Sequence, residues 1–180
     1  MRRFYVIAAL AALLAGGCSK QDDTLEETQR TSFTNYLKGQ QYAYTEQSGV
    51  YRYITNTDRE GYTTAPVLDG ESSAVIDFAV YAFPSGSSGK GELYYTNRKD
   101  LIDEESLADL EHYWPFEPQE ISLSDSRLVK GVRLGLDGCR QGDSVQLFLV
   151  SRLGYGNKPL GLVPANTPLV WDIVVNQVVK

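Results

Sequence analysis

The sequence predicts an α+β fold, and three stretches carry that prediction. Ser73–Phe83 alternates, with Ile76, Phe78, Val80 and Ala82 on one face and Val75, Asp77, Ala79 and Tyr81 on the other, the period-two pattern of a central strand. Leu169–Val175 repeats it with Leu169, Trp171, Ile173 and Val175 on one side. Asp103, followed by acids and by Leu107, Leu110 and Trp114 at helical spacing, predicts a capped helix.

Taken in order, Arg2 and Arg3 precede an apolar run from Phe4 to Leu14. That run is well short of the roughly 20 residues needed to cross a bilayer, so it reads as a secretory signal. Ala15-Gly16-Gly17-Cys18 resembles a bacterial lipobox. Cleavage after residue 17 would leave a lipidated Cys18, carrying palmitate-type chains, as the membrane anchor; the alternative is an ordinary signal peptide with an incidental cysteine. Ser19 is similar to outer-membrane sorting, and Lys20–Asp23 resembles the acidic export tag of surface lipoproteins in Bacteroidetes-type bacteria. Residues 18–31, acidic and almost without large apolar side chains, read as a flexible tether, and the domain occupies 32–180.

Loss of residues 1–17 removes two arginines and no acid, leaving 15 basic against 23 acidic residues and a net charge of −8 instead of −6. Nucleic acid is not an expected partner. The 163 residues that remain of 180 suit one domain with a sizeable core. With Cys18 lipidated, Cys139 stands alone, which excludes an intrachain disulfide, and its place in a helix-ending turn predicts a small buried apolar group.

Phe33, Tyr36, Leu37 and Gln40 predict one face of a short helix propping the domain. Val50–Thr55 reads as a strand, 56–72 as a loop, 84–90 as a turn and Glu92–Asn97 as a strand. His112, the single histidine, reads as a surface residue of the helix after Asp103. No Cys/His cluster or spaced set of acids would hold a metal, and no phosphate loop or nucleophile–base pair suggests a cofactor or covalent chemistry. In Gly154-Tyr155-Gly156 two glycines free the backbone on either side of one phenol. Pro159, Pro164 and Pro168 then restrict a loop bearing Leu162 and Val163.

The stretch 154–174, GYGNKPLGLVPANTPLVWDIV, together with LVKGVRLGLDGCRQGDSVQLFL at 128–149, resembles the FKBP-type peptidyl-prolyl cis-trans isomerases, and weaker likeness at 72–83 and 91–97 extends it over most of 48–180. The resemblance implies an antiparallel twisted sheet of about five strands wrapped around one helix that starts near Ser126 and ends at Gly138, with the helix within 100–118 inserted near the pocket. It also implies that Tyr155 is a hydroxyl donor, that the Val129 N–H holds a substrate carbonyl, and that Trp171 is the aromatic of the closing strand. Phe78, Tyr94, Leu128, Val132, Leu162 and Val163 would line the rest. Tyr95 stands where the family has an aspartate, and Val132 where a tryptophan usually forms the floor. The implied activity is rotation of X-Pro bonds in proline-containing polypeptides at the outer membrane. The alternative is an FKBP-like binding module that kept the cleft and lost the chemistry.

Overall fold

The computed structural model describes residues 22–112 and 114–180; the expected signal and the expected Cys18 anchor lie outside the described residues. One antiparallel sheet of seven strands organises the chain: β1 (Thr45–Gln47), β2 (Val50–Ile54), β3 (Ser73–Ala82), β4 (Leu93–Thr96), β5 (Gln119–Ser122), β6 (Ser144–Leu149) and β7 (Leu169–Val179). Their spatial order is β1-β2-β6-β7-β3-β4, with β5 also on β3. The α+β class stands, and the expected count of about five strands is corrected to seven. The two additions are short. β1 is created by a two-residue hairpin in which Ser48 and Gly49 both take positive φ (54° and 81°), the geometry that matches strand twist. β5 uses the half of β3 that β4 leaves open: β4 pairs with residues 79–81 and β5 with 73–76. At three and four residues neither gives a readable alternation.

Two helices cover opposite faces of this sheet. On the inner face, α3 (Lys130–Leu136) lies across β2 and β6. It reaches the sheet through Gly131 and Gly135: a Cβ on Gly131 would lie 2.6 Å from Leu149 Cδ2 and one on Gly135 2.7 Å from Leu147 Cδ2. The expected start near Ser126 is corrected to Lys130. Asp125 forms a local turn instead, accepting from the Arg127 N–H (2.8 Å) through its side chain and from the Leu128 N–H (3.2 Å) through its carbonyl, the competition short polar side chains offer to a helix. Gly138, at φ 82°, follows the helix end as expected.

On the outer face lies α1, residues 22–37. The tether expected over 18–31 is therefore corrected from residue 22 onward, because those residues are helical and docked. Phe33 is fully buried and meets Phe83, Phe148 and Tyr51 edge-on at 5.3, 5.6 and 5.7 Å. Tyr36 and Leu37 join that face, but Gln40 lies beyond the helix end and bonds back to the Tyr36 carbonyl at 3.3 Å. The stripe runs 25/26, 29, 32/33, 36/37, a helical repeat whose second contact is a glutamine rather than an apolar residue.

Along β3 and β7 the predicted inner-face residues are buried, with Phe78 6% and Trp171 7% exposed. The small helix α2 (Glu104–Leu110) is capped by Asp103, whose carboxylate accepts from the Ser106 N–H at 2.8 Å. It stops before Trp114, however, and Leu110 is exposed. Trp114 packs on the core as a separate anchor and donates from Nε1 to the Thr96 carbonyl at 2.8 Å. His112 is exposed just past the helix.

Candidate active site

The inner-face row that crosses the sheet centre reads Tyr95, Val80, Trp171, Leu147, each the cross-strand partner of the next. Phe78, one step along β3, stacks on Trp171 with ring centroids 5.5 Å apart at 28°, an offset arrangement favoured by the ring quadrupoles. The Phe78 backbone is fixed by Asn97, a buried side chain whose Oδ1 accepts from the Phe78 N–H at 2.7 Å while its Nδ2 donates to the Glu117 carbonyl at 2.9 Å. Trp171 Nε1 is buried and finds no acceptor among the described residues.

Two groups capable of holding a carbonyl sit on the margin of this core. Val129 precedes α3 as its N-cap. No protein acceptor among the described residues takes its N–H, as is usual for the first amides of a helix. The Tyr155 side chain packs against the core. Burial first, and the neighbouring Tyr95 phenol second, push its pKa up to about 12, so near neutral pH it is a protonated donor with no bonded acceptor among the described residues. Leu128 and Tyr94 also pack on this margin, whereas Val132 and Val163 are fully buried.

Leu162 and Val163, both expected to line the pocket, sit differently in their loop. Leu160 and Val163 bond to each other in both directions at 3.0 Å, so Gly161 and Leu162 are the corners of a tight turn. Leu162 is 69% exposed while Val163 is 1% exposed, so Val163 packs inward and Leu162 projects from the turn. The turn is held by Tyr95, whose hydroxyl donates to the Leu160 carbonyl (3.2 Å) and accepts from the Leu162 N–H (3.4 Å). A Cβ at position 161 would fall 2.2 Å from that oxygen, which makes Gly161 the steric partner of Tyr95. Sequence reasoning read Tyr95 only as a missing aspartate. Its tie to a residue 65 positions away left no local signal.

Cys139 is buried, and burial pushes its thiol up to about 12, consistent with a packing role. Among the described residues no three His, Cys, Asp or Glu side chains converge to hold a metal.

Residues 111–176 match the model of the FKBP-type peptidyl-prolyl cis-trans isomerases. That stretch, a little over a third of the chain, is similar to the FKBP-type family. It is 32% identical over 57 residues to FK506-binding protein 1A of Neurospora crassa, a match that covers 31% of this chain and 48% of that relative, so the chain spans about half the length of the curated relative. Among solved structures, the fold is similar to a peptidyl-prolyl cis-trans isomerase from Pseudomonas syringae pv. tomato, with TM-score 0.60, 17% identity, and coverage of 88% of this chain and 96% of that one. It is also similar to FkpA from Escherichia coli, with TM-score 0.55, 14% identity, and coverage of 100% and 74% respectively. The FKBP-type match takes in β5, α3, β6, the Tyr155 loop and most of β7. Phe78, Tyr94, Tyr95 and all of α1 lie outside it.

Proposed function

We propose that this FKBP-type domain is a peptidyl-prolyl cis-trans isomerase held at the bacterial outer membrane through lipidated Cys18. The reading draws on two donors without a bonded acceptor among the described residues, the Val129 N–H and the protonated Tyr155 hydroxyl, and on the apolar face of stacked Phe78 and Trp171. Rotation about X-Pro requires no proton transfer and no covalent intermediate; its barrier of roughly 18–20 kcal/mol is lost amide resonance. The planar amide is more charge-separated than the twisted one, so a water-poor wall raises the ground state more than the transition state. Val129 and Tyr155 would grip the flanking carbonyls and hold the proline twisted. A protease-coupled assay on X-Pro peptides tests the reading: the protein should accelerate isomerisation, and an FK506-class macrolide should inhibit it. Folded protein that neither accelerates any X-Pro peptide nor binds one would sink it. Cys18→Ser should release the protein from membranes; continued membrane fractionation would remove the anchor.

The second reading, a binding module without turnover, draws on Tyr95. Its phenol is committed to the Leu160 turn and offers no carboxylate, and Val132 supplies no aromatic floor. Peptide binding without rate acceleration would favour it.

A further inference from the structure

We infer that Gln29, on the helix outside the family match, is a positioning residue for the Tyr155 loop and makes α1 part of the isomerase unit; the kinetic half of this inference rests on the function proposed above. Gln29 is 1% exposed. Its Oε1 accepts from the Ser151 N–H at 2.9 Å, and its Nε2 donates to the Asn166 carbonyl at 3.0 Å, with the Ser151 hydroxyl at 3.4 Å. Within the loop, the Gly156 N–H donates to the Ser151 carbonyl (2.8 Å) and the Asn166 N–H to the Gly156 carbonyl (2.9 Å). These bonds close a ring, Gln29 to Ser151 to Gly156 to Asn166 and back, and Tyr155 lies on the arc between Ser151 and Gly156.

Gln29 is the one member of the ring from outside the loop. It joins the limb that leads into Tyr155 to the limb that returns toward β7, and its partners are a buried N–H and a carbonyl. Only a side chain carrying both an acceptor and a donor satisfies the two at once, which is why a carboxamide occupies the centre of a packing stripe. Asn166 is held at φ 60°, a conformation that needs support from its surroundings. One turn earlier on α1, Glu26 grips Arg152 at 2.9 and 3.0 Å, so the same helix face holds consecutive loop residues. The loop is thus fixed at its base by Gln29 and at its tip by Tyr95.

The test uses the full chain and two variants. Gln29→Met keeps the volume and drops both bonds; Gln29→Glu keeps the acceptor and sets a carboxylate against the Asn166 carbonyl. Amide exchange should rise on the order of tenfold at Gly156 and Asn166, with β3 and β7 amides unchanged, as expected when a local tie rather than the global fold is lost. In the X-Pro assay both variants should raise KM several-fold with kcat less affected, because the wall becomes mobile before the donors are lost. Should Gln29→Glu fail to fold, Gln29→Met decides alone. Exchange that rises equally across the sheet, or kinetics and loop exchange within twofold of wild type, would overturn the inference. Wild-type protein without isomerase activity would overturn the proposed function instead, leaving the exchange measurement to judge the clamp.

Discussion

The two helices that cover the sheet solve one problem in opposite ways. α3 has its backbone pressed against Leu147 and Leu149 through Gly131 and Gly135, so its position is fixed by what is missing. α1 is held off by rings, Phe33 among Phe83, Phe148 and Tyr51, and by one carboxamide, so its position is fixed by what is present. The first contact should tolerate no added atom, and the second should tolerate reshaping but no deletion.

Deletion on the α1 side carries the largest expected effect. Phe33→Ala should cost about 3–5 kcal/mol in urea unfolding, while Phe33→Leu, which keeps most of the volume, should cost clearly less; equal losses would break the contrast. Next, Gly131→Ala should cost about 1–3 kcal/mol as overpacking, and more than Gly135→Ala. The added methyl at 131 meets the Leu153 carbonyl at 2.9 Å as well as side-chain tips, whereas the three nearest atoms at 135 belong to the Leu147 and Val50 side chains. Equal or reversed costs would show that α3 can shift as a body.

Acid should loosen α1 before α3. Hydrogen bonds from Arg152 first, and then from Arg30, lower the Glu26 pKa from 4.5 to about 2 against partial burial. A depressed carboxylate contributes stability that is fully present above pH 4.5 and is lost as pH falls toward 2. The bound is about 3 kcal/mol, and solvent screening reduces it. Thermal midpoints in that window should fall less steeply in Arg152→Ala; identical slopes would detach Glu26 from the effect. The smallest change is expected at the candidate site. Tyr155→Phe keeps the ring and should lose about 0.5–1.5 kcal/mol, several-fold in kcat/KM, with little change in unfolding. An unaltered rate would remove the hydroxyl from the mechanism.

The same contrast separates what was legible in the sequence from what was not. β3 and β7 announce themselves because strict alternation over a strand's length has no other reading, and α3 was expected from the resemblance of residues 128–149, with its Gly138 exit. The first turns of α1 were hidden because the stripe includes Glu26 and Gln29, and acids with glutamine read as solvated chain until their partners 122 or more residues away are known. Tyr155, Val129 and Trp171 were singled out as site candidates by their neighbours in sequence. The ties that fix the loop, Gln29 and Tyr95, were not, since each acts across the fold. That Leu162 projects while Val163 packs inward was not legible, because a tight turn reverses the side on which adjacent residues project, and the Leu160–Val163 bridge leaves no mark in composition.

β7 is synthesised after every strand it joins, yet it lies between β6 and β3 at the middle of the sheet. Until it emerges, the β2–β6 pair and the β3 group are two fragments, each with an open edge along its longest strand, and such edges invite pairing with other chains. The order of manufacture and the order in space are opposed. A folding route dominated by long-range pairing is slow, so the growing chain has to remain uncommitted until the stretch from 169 onward arrives.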